Sequence, residues 1–154
     1  MKNNISIING NLLEADADII CHQVNCKGVM GRGLAKQIKD AYPQVYASYK
    51  ETCKTNNFSQ KLLGAVDFVK VDKYLVASCF GQFAYGTKTR QTNYNALGCC
   101  FDVIKEVAED DGLTTIAIPY NIGCGLAGGE WSVVERLIDE IFGDTNLIIK
   151  IYKL

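Results

Sequence analysis

Asn25-Cys26-Lys27-Gly28-Val29-Met30-Gly31-Arg32-Gly33 follows a near-continuous apolar run, Ile19–Val24, and leads into a segment where Leu34, Ile38 and Ala41 recur at spacings of four and three. An unbroken apolar run suits a strand covered on both faces, and the spacing after it suits a helix. The same succession returns later in the chain. Thr115–Pro119 reads as a strand, Ile122-Gly123-Cys124-Gly125-Leu126-Ala127-Gly128-Gly129 as a loop, and the next segment as a helix with Trp131, Val134, Ile138 and Ile141 on one face. Three glycines fall in the first loop and four in the second.

The remaining segments fit around this pair. Ile5–Ile8 reads as a first strand, and Pro43 opens a helix with Val45, Tyr49 and Cys53 on one side. Ala65–Val71 and Tyr74–Phe80 read as a hairpin about Asp72-Lys73. Thr92 is the expected N-cap of a helix bearing Leu97, Phe101, Ile104 and Ala108, and Gly112 ends it. Asn146–Tyr152 reads as the last strand. The order β-β-α-α-β-β-α-β-α-β predicts an α/β protein, a largely parallel sheet with helices on both faces. Ligands of such sheets sit at the carboxyl ends of the strands, where both glycine loops fall.

Residues 1–154 read as one domain, and 48% apolar with 21% charged residues predicts an ordinary core. Formal net charge is −1 and no basic run stands out, which argues against a general binder of nucleic-acid backbones. An anion held here is therefore expected to be small and gripped by backbone N–H groups, which glycine-rich turns and helix starts present as a nest. Tight turns and helix caps are the plainer account of the same glycines. No run approaches the roughly 18 apolar residues of a membrane span. The apolar start of the chain is cut off at Asn9-Gly10-Asn11, so no secretion signal is read. Seven cysteines without a Cys-x-x-Cys pair, beside a single histidine, predict reduced thiols, a cytoplasmic setting, no metal site and no cofactor; a monomer is expected.

Two rival motifs overlap the loops. Gly123, Gly125 and Gly128 fit Gly-x-Gly-x-x-Gly, but the acid that a dinucleotide fold places at the end of the next strand is missing. Cys26 and Arg32 fit the Cys-x5-Arg spacing with which cysteine phosphatases wrap a phosphate. That reading requires a Cys26 thiol of depressed pKa and stays open.

Gly10-Asn11-Leu12, the stretch His22–Ala35, Ile118–Leu126 and Ile151-Tyr152 together resemble macrodomains, in order and spacing, from end to end of the chain. With His22, Phe80-Gly81, Gly86 and Asn93-Tyr94, the chain is most similar to the ADP-ribose-1″-phosphate phosphatase subgroup. The resemblance implies a three-layer α/β/α sandwich with a mixed central sheet and ADP-ribose, or ADP-ribose-1″-phosphate, lying between the two loops. It assigns Asn11 and Tyr152 to the adenine end, Leu12 to ligand binding, and Asn25, Gly31, Gly33 and Leu34 to the distal ribose. It assigns Ile122, Gly123, Cys124, Gly125 and Leu126 to the diphosphate. Asn11 stands where the family usually has an acid, so its carbonyl would accept from adenine without charge.

His22 and Asn25 are the catalytic candidates, His22 as nucleophile or as base on water. A core histidine satisfied by neighbours is the alternative. A related glycohydrolase subgroup works through a covalent lysine and an Asp; here Cys79–Phe83 holds no lysine, and Ala127 stands at the Asp position. Phe80, Phe83 and Tyr85 read as a wall for the ribose end or as loop packing. Three functions remain: a phosphatase, a hydrolase of ADP-ribosyl or O-acetyl-ADP-ribose bonds without a lysine nucleophile, and a non-catalytic ADP-ribose reader.

Overall fold

The computed structural model describes all 154 residues. Its strands are β1 (Ile5–Asn9), β2 (Ile19–Val24), β3 (Val66–Lys70), β4 (Leu75–Phe80), β5 (Thr115–Pro119) and β6 (Ile148–Lys153). Its helices are α1 (Gly33–Ala41), α2 (Pro43–Thr55), α3 (Tyr94–Asp110) and α4 (Trp131–Phe142), with single 3-10 turns at Leu12–Glu14 and Gln60–Leu62. The chain order of strands and helices is the one read from the sequence. The six strands form one sheet ordered β1-β6-β5-β2-β4-β3. Only the β3–β4 hairpin is antiparallel.

Alternation along β2 shows how the layers form. Ile19 and Cys21 join a core with Leu97, Phe101 and Ile104 of α3 and Val134, Ile138 and Phe142 of α4. Ile20 and Val24 join a second core with Ile38 of α1 and Val45, Tyr49 and Cys53 of α2. Each face of the sheet is thus sealed by a helix pair, which is why β2 is apolar on both sides.

Three local expectations are corrected. The N-cap of α3 is Asn93, whose side chain accepts from the Ala96 N–H, and not Thr92, which is buried. Ala41 is exposed; α1 is short and buries only Ile38 fully. The last strand starts at Ile148 and not at Asn146; just before it, Asn4 Nδ2 donates to the Leu147 carbonyl, which is therefore not free for the sheet.

The pairing of β2 with β5 decides where a site can form. The two strands are in register only at Ile19↔Ile116 and Ile20↔Ala117. Beyond those pairs they separate, and the Cys21 thiol, 3.6 Å from the Ala117 carbonyl, takes over a bond the ladder would have made. Meanwhile β2 stays paired with β4 through Val24↔Phe80, and β5 with β6 through Pro119↔Tyr152. A crevice therefore opens between the carboxyl ends of two central strands.

Tyr49 fastens the loop after β2. It is buried on α2, stacks against Phe80 at 5.7 Å, and its hydroxyl lies 2.7 Å from both the backbone oxygen and Oδ1 of Asn25. Replacing Tyr49 by Phe should cost about 1–3 kcal/mol, because the buried Asn25 carbonyl loses a donor it cannot recover from water. Urea unfolding of Tyr49→Phe checks this; a midpoint equal to that of the parent would show that the hydroxyl holds nothing.

Candidate ligand-binding cleft

A cavity of about 990 Å³ fills the crevice and runs between the two glycine loops. This is at the upper end of the usual range for small-molecule sites. Gly31, Gly33 and Leu34 line one side, and Ile122, Gly123, Gly125 and Leu126 the other. The loops meet: Leu126 Cδ1 lies 4.0 Å from where a Gly33 Cβ would stand. Two turns about 90 residues apart in sequence thus share one space, as their positions after β2 and β5 predict.

The loops are shaped to leave donors free. Asn25 organises the first. Its Oδ1 accepts from the N–H groups of Lys27 and Val29, and its Nδ2 donates to the Val29 carbonyl. Past that turn, the N–H groups of Gly31, Arg32, Gly33, Leu34 and Ala35 find no acceptor in the protein, as befits the first turn of a helix. In the second loop, Cys124, Gly128 and Gly129 donate to loop carbonyls, whereas the N–H groups of Gly123, Gly125, Leu126 and Ala127 do not. Gly123 has φ +72, and a Cβ there would lie 2.9 Å from Gln23 Oε1 and 3.1 Å from Thr92 Oγ1. Only glycine fits this turn.

The charge around these donors is one-sided. Arg32 and Lys88 line the cavity, and no carboxylate does. A protein with 17 acidic residues and net charge −1 thereby keeps its cleft free of negative charge. Amide dipoles, the α1 start and two cations all favour an anion there.

Asn11, Leu12, Cys124 and Tyr152 lie outside this cavity. Asn11 Oδ1 caps the 3-10 turn through the Leu13 N–H, Leu12 is buried in the core, and the Tyr152 hydroxyl accepts from the Asp16 N–H. The Cys124 thiol turns back to the Ile122 carbonyl at 3.4 Å, and burial pushes its pKa up to about 11. Of the expected ribose wall, Tyr85 lines the cavity and is 61% exposed. Phe80 belongs to the core, and the Phe83 ring carries the Lys27 ammonium 3.9 Å from its centroid. Gln23, Gln82, Thr87, Lys88 and Gln91 also line the cleft. No spacing rule singles them out, since tertiary contact alone brings them there.

His22 and Cys26 fall short of the reactive states expected of them. Cys26 is buried with its thiol on the Gln82 carbonyl, and burial raises its pKa to about 11. That is the opposite of an activated phosphatase thiolate, so the Cys-x5-Arg reading is set aside. His22 lies on the cleft floor, 1% exposed, with Nε2 2.8 Å from Ser78 Oγ and Nδ1 without a partner. Burial lowers its pKa to about 3, so the imidazole is neutral at neutral pH. A neutral ring has one lone pair and one N–H to offer, and no stored proton.

The family follows from the sequence that builds this cleft. Residues 21–138, most of the chain, match the family model described as Macro domain. The chain is a macrodomain. It is 28% identical to an ADP-ribose 1''-phosphate phosphatase of Saccharomyces cerevisiae, over 95% of this chain and 97% of that protein. It is 26% identical to a DNA ADP-ribosyl transferase–DNA ADP-ribosyl glycohydrolase fusion protein of Thermosipho africanus, over 99% of this chain but 42% of that protein. The macrodomain spans less than half the length of the glycohydrolase relatives it matches. A macrodomain protein from Streptomyces coelicolor superposes with a TM-score of 0.81 at 27% identity, over 97% of this chain and 99% of that one. The fold expected from the resemblance, a three-layer sandwich on a mixed sheet, is the fold found. No helix of this macrodomain is long and apolar enough to cross a membrane.

The neutral buried His22 makes stability depend on pH. Above pH 6.5 the imidazole is neutral in both the folded and unfolded chain; between about 3 and 6.5 only the unfolded chain takes up the proton. Stability is therefore full above pH 6.5 and falls as pH drops, by at most about 1.4 kcal/mol per unit. Denaturant midpoints at pH 7, 6 and 5 should show this slope, and His22→Gln should flatten it.

Proposed function

We propose that this macrodomain binds ADP-ribose in the cleft and hydrolyses a derivative at its distal ribose, ADP-ribose-1″-phosphate foremost. The observation that carries this reading is the convergence of two rows of unshared N–H groups on one cavity free of carboxylates. The second row matches a diphosphate and the first the oxygens of a phosphorylated distal ribose, and hydrogen bonds to charged groups contribute about 1.5–3 kcal/mol each. The relatives named as a phosphatase of ADP-ribose 1''-phosphate and as DNA ADP-ribosyl glycohydrolases support the ligand and the bond class.

In this reading Gly123 to Ala127 grip the diphosphate, and the first loop with Asn25 frames the distal ribose. One Nδ2 hydrogen of Asn25 remains free for a ribose hydroxyl. The same preorganised N–H groups stabilise charge that grows on phosphate oxygens as water attacks. His22, with its uncharged ring and a buried, unpartnered Nδ1, is the proposed group that orients the attacking water or attacks the phosphorus. With no carboxylate lining the cleft and Cys26 held as a thiol, proton transfers fall to water and to the substrate's own phosphate.

A second reading, a non-catalytic reader, is favoured by one observation: the histidine on the cleft floor is buried and uncharged, with a neighbour already on its Nε2. A lysine-dependent glycohydrolase is not favoured, since Gln82 and Ala127 line the cleft in the segments where the covalent residues would lie.

Calorimetric titration with ADP-ribose should show one site. Release assays on ADP-ribose-1″-phosphate, O-acetyl-ADP-ribose and ADP-ribosylated protein or DNA then identify the bond cut. His22→Ala should lower phosphate release at least about 100-fold while ADP-ribose affinity changes less than about 3-fold. Turnover within a few-fold of the parent would make His22 structural. Tight binding without turnover of any of these compounds would leave the reader.

A further inference from the structure

We propose that Gln23 is a positioning residue: its amide latches the second glycine loop and the Gln82–Gln91 rim to β2, and so holds the loop's free N–H row in place before a ligand arrives. The inference deepens the ADP-ribose reading and rests on it for the identity of the ligand.

The latch is a directed chain of hydrogen bonds. Gln82 Nε2 donates to the Ala84 carbonyl at 2.7 Å, so Gln82 presents its Oε1. Gln23 must then present nitrogen, and its Nε2 lies 2.9 Å from both Gln82 Oε1 and Thr92 Oγ1. With that lone pair engaged, the Thr92 hydroxyl gives its hydrogen to the Gly123 carbonyl. Every donor direction is fixed by the one before it. Gly123 in turn accepts from the Gly129 N–H, and Ala127 accepts from the N–H groups of Gln91 and Thr92. Both ends of the loop are therefore tied to the rim, and the rim is tied to β2 through one amide.

The surroundings are built for that amide. Gln23 Oε1 is buried without a partner, an arrangement that is unfavourable on its own. Reversing the amide would set two oxygens against each other at Gln82 and break the Thr92–Gly123 bond. A Cβ on Gly81 would collide with Gln23 Oε1, and one on Gly123 would crowd it. Two glycines thus leave room for a side chain that tolerates an orphaned acceptor in order to donate twice. Gln23 shares a sheet face with Ile19 and Cys21, and it stands where β5 has already parted from β2. The latch bridges the opening that creates the cleft.

The test uses Gln23→Glu, of equal size but without donors, and Thr92→Val, of equal shape but without a hydroxyl. Thr92→Ser restores the hydroxyl. Backbone 15N relaxation on the ligand-free full chain reads the loop directly. The amides of Gly123, Gly125, Leu126 and Ala127 should have order parameters near the rigid value of about 0.85 in the parent and in Thr92→Ser. They should fall below about 0.6 in the other two variants. Calorimetry should then show ADP-ribose affinity lowered about 10-fold or more in Thr92→Val, which adds no charge to the cleft, and restored in Thr92→Ser. Variants that lose thermal stability but keep an ordered loop and parental affinity would overturn the latch. A parent that orders its loop through Gln23 yet binds no ADP-ribose would instead overturn the ligand assignment and leave the latch standing.

Discussion

The parting of β2 from β5 after two paired residues is the constraint on which the site depends. A parallel ladder continued to Val24 and Pro119 would have closed the crevice and pressed the two glycine loops together. Because each strand keeps its other neighbour to the end, the sheet pays little for the gap. The Ala117 carbonyl takes the Cys21 thiol, and the side chain of Gln23 reaches toward the rim and the second loop.

Within that gap, binding strength comes from direction rather than from net charge. A chain of formal charge −1 has no long-range field to attract an anion. It concentrates local dipoles instead: orphan N–H groups at the start of α1, a second row in the β5–α4 loop, and two cations at the rim. Such groups act over a few ångströms and are strong only when already aimed. The supporting contacts, Tyr49 on Asn25 and Gln23 on Thr92, therefore matter as much as the donors they hold. The same economy shapes the reactivity. Burial leaves His22 on the cleft floor neutral, and it keeps Cys26 and Cys124 beside the loops as thiols.

Most of the architecture was legible in the chain. Ile19–Val24 announces a doubly covered strand, the spacings of Val45, Tyr49, Cys53 and of Leu97, Phe101, Ile104, Ala108 announce helix faces, and all of these but Gln23 are buried. The errors fell at element ends. Thr92 and Asn93 are both good caps by type, and tertiary contact with Gln23 and Gly123 took Thr92 for another task. Asn11 and Tyr152, expected at the adenine end, each accept a backbone N–H, Asn11 from nearby Leu13 and Tyr152 from distant Asp16.

What the sequence by itself determined is the period and punctuation: which segments are strands or helices, and that two glycine-rich turns each follow a strand and precede a helix. Those are local properties, set by backbone sterics and by alternation of apolar residues, and they survive without knowledge of neighbours. Only the tertiary structure decided that β2 and β5 lie side by side and then diverge, that the cleft between them excludes every carboxylate, and that an unremarked glutamine ties its walls together. These depend on strand order and on contacts between residues as far apart as Gln23 and Gly123, which no local pattern encodes.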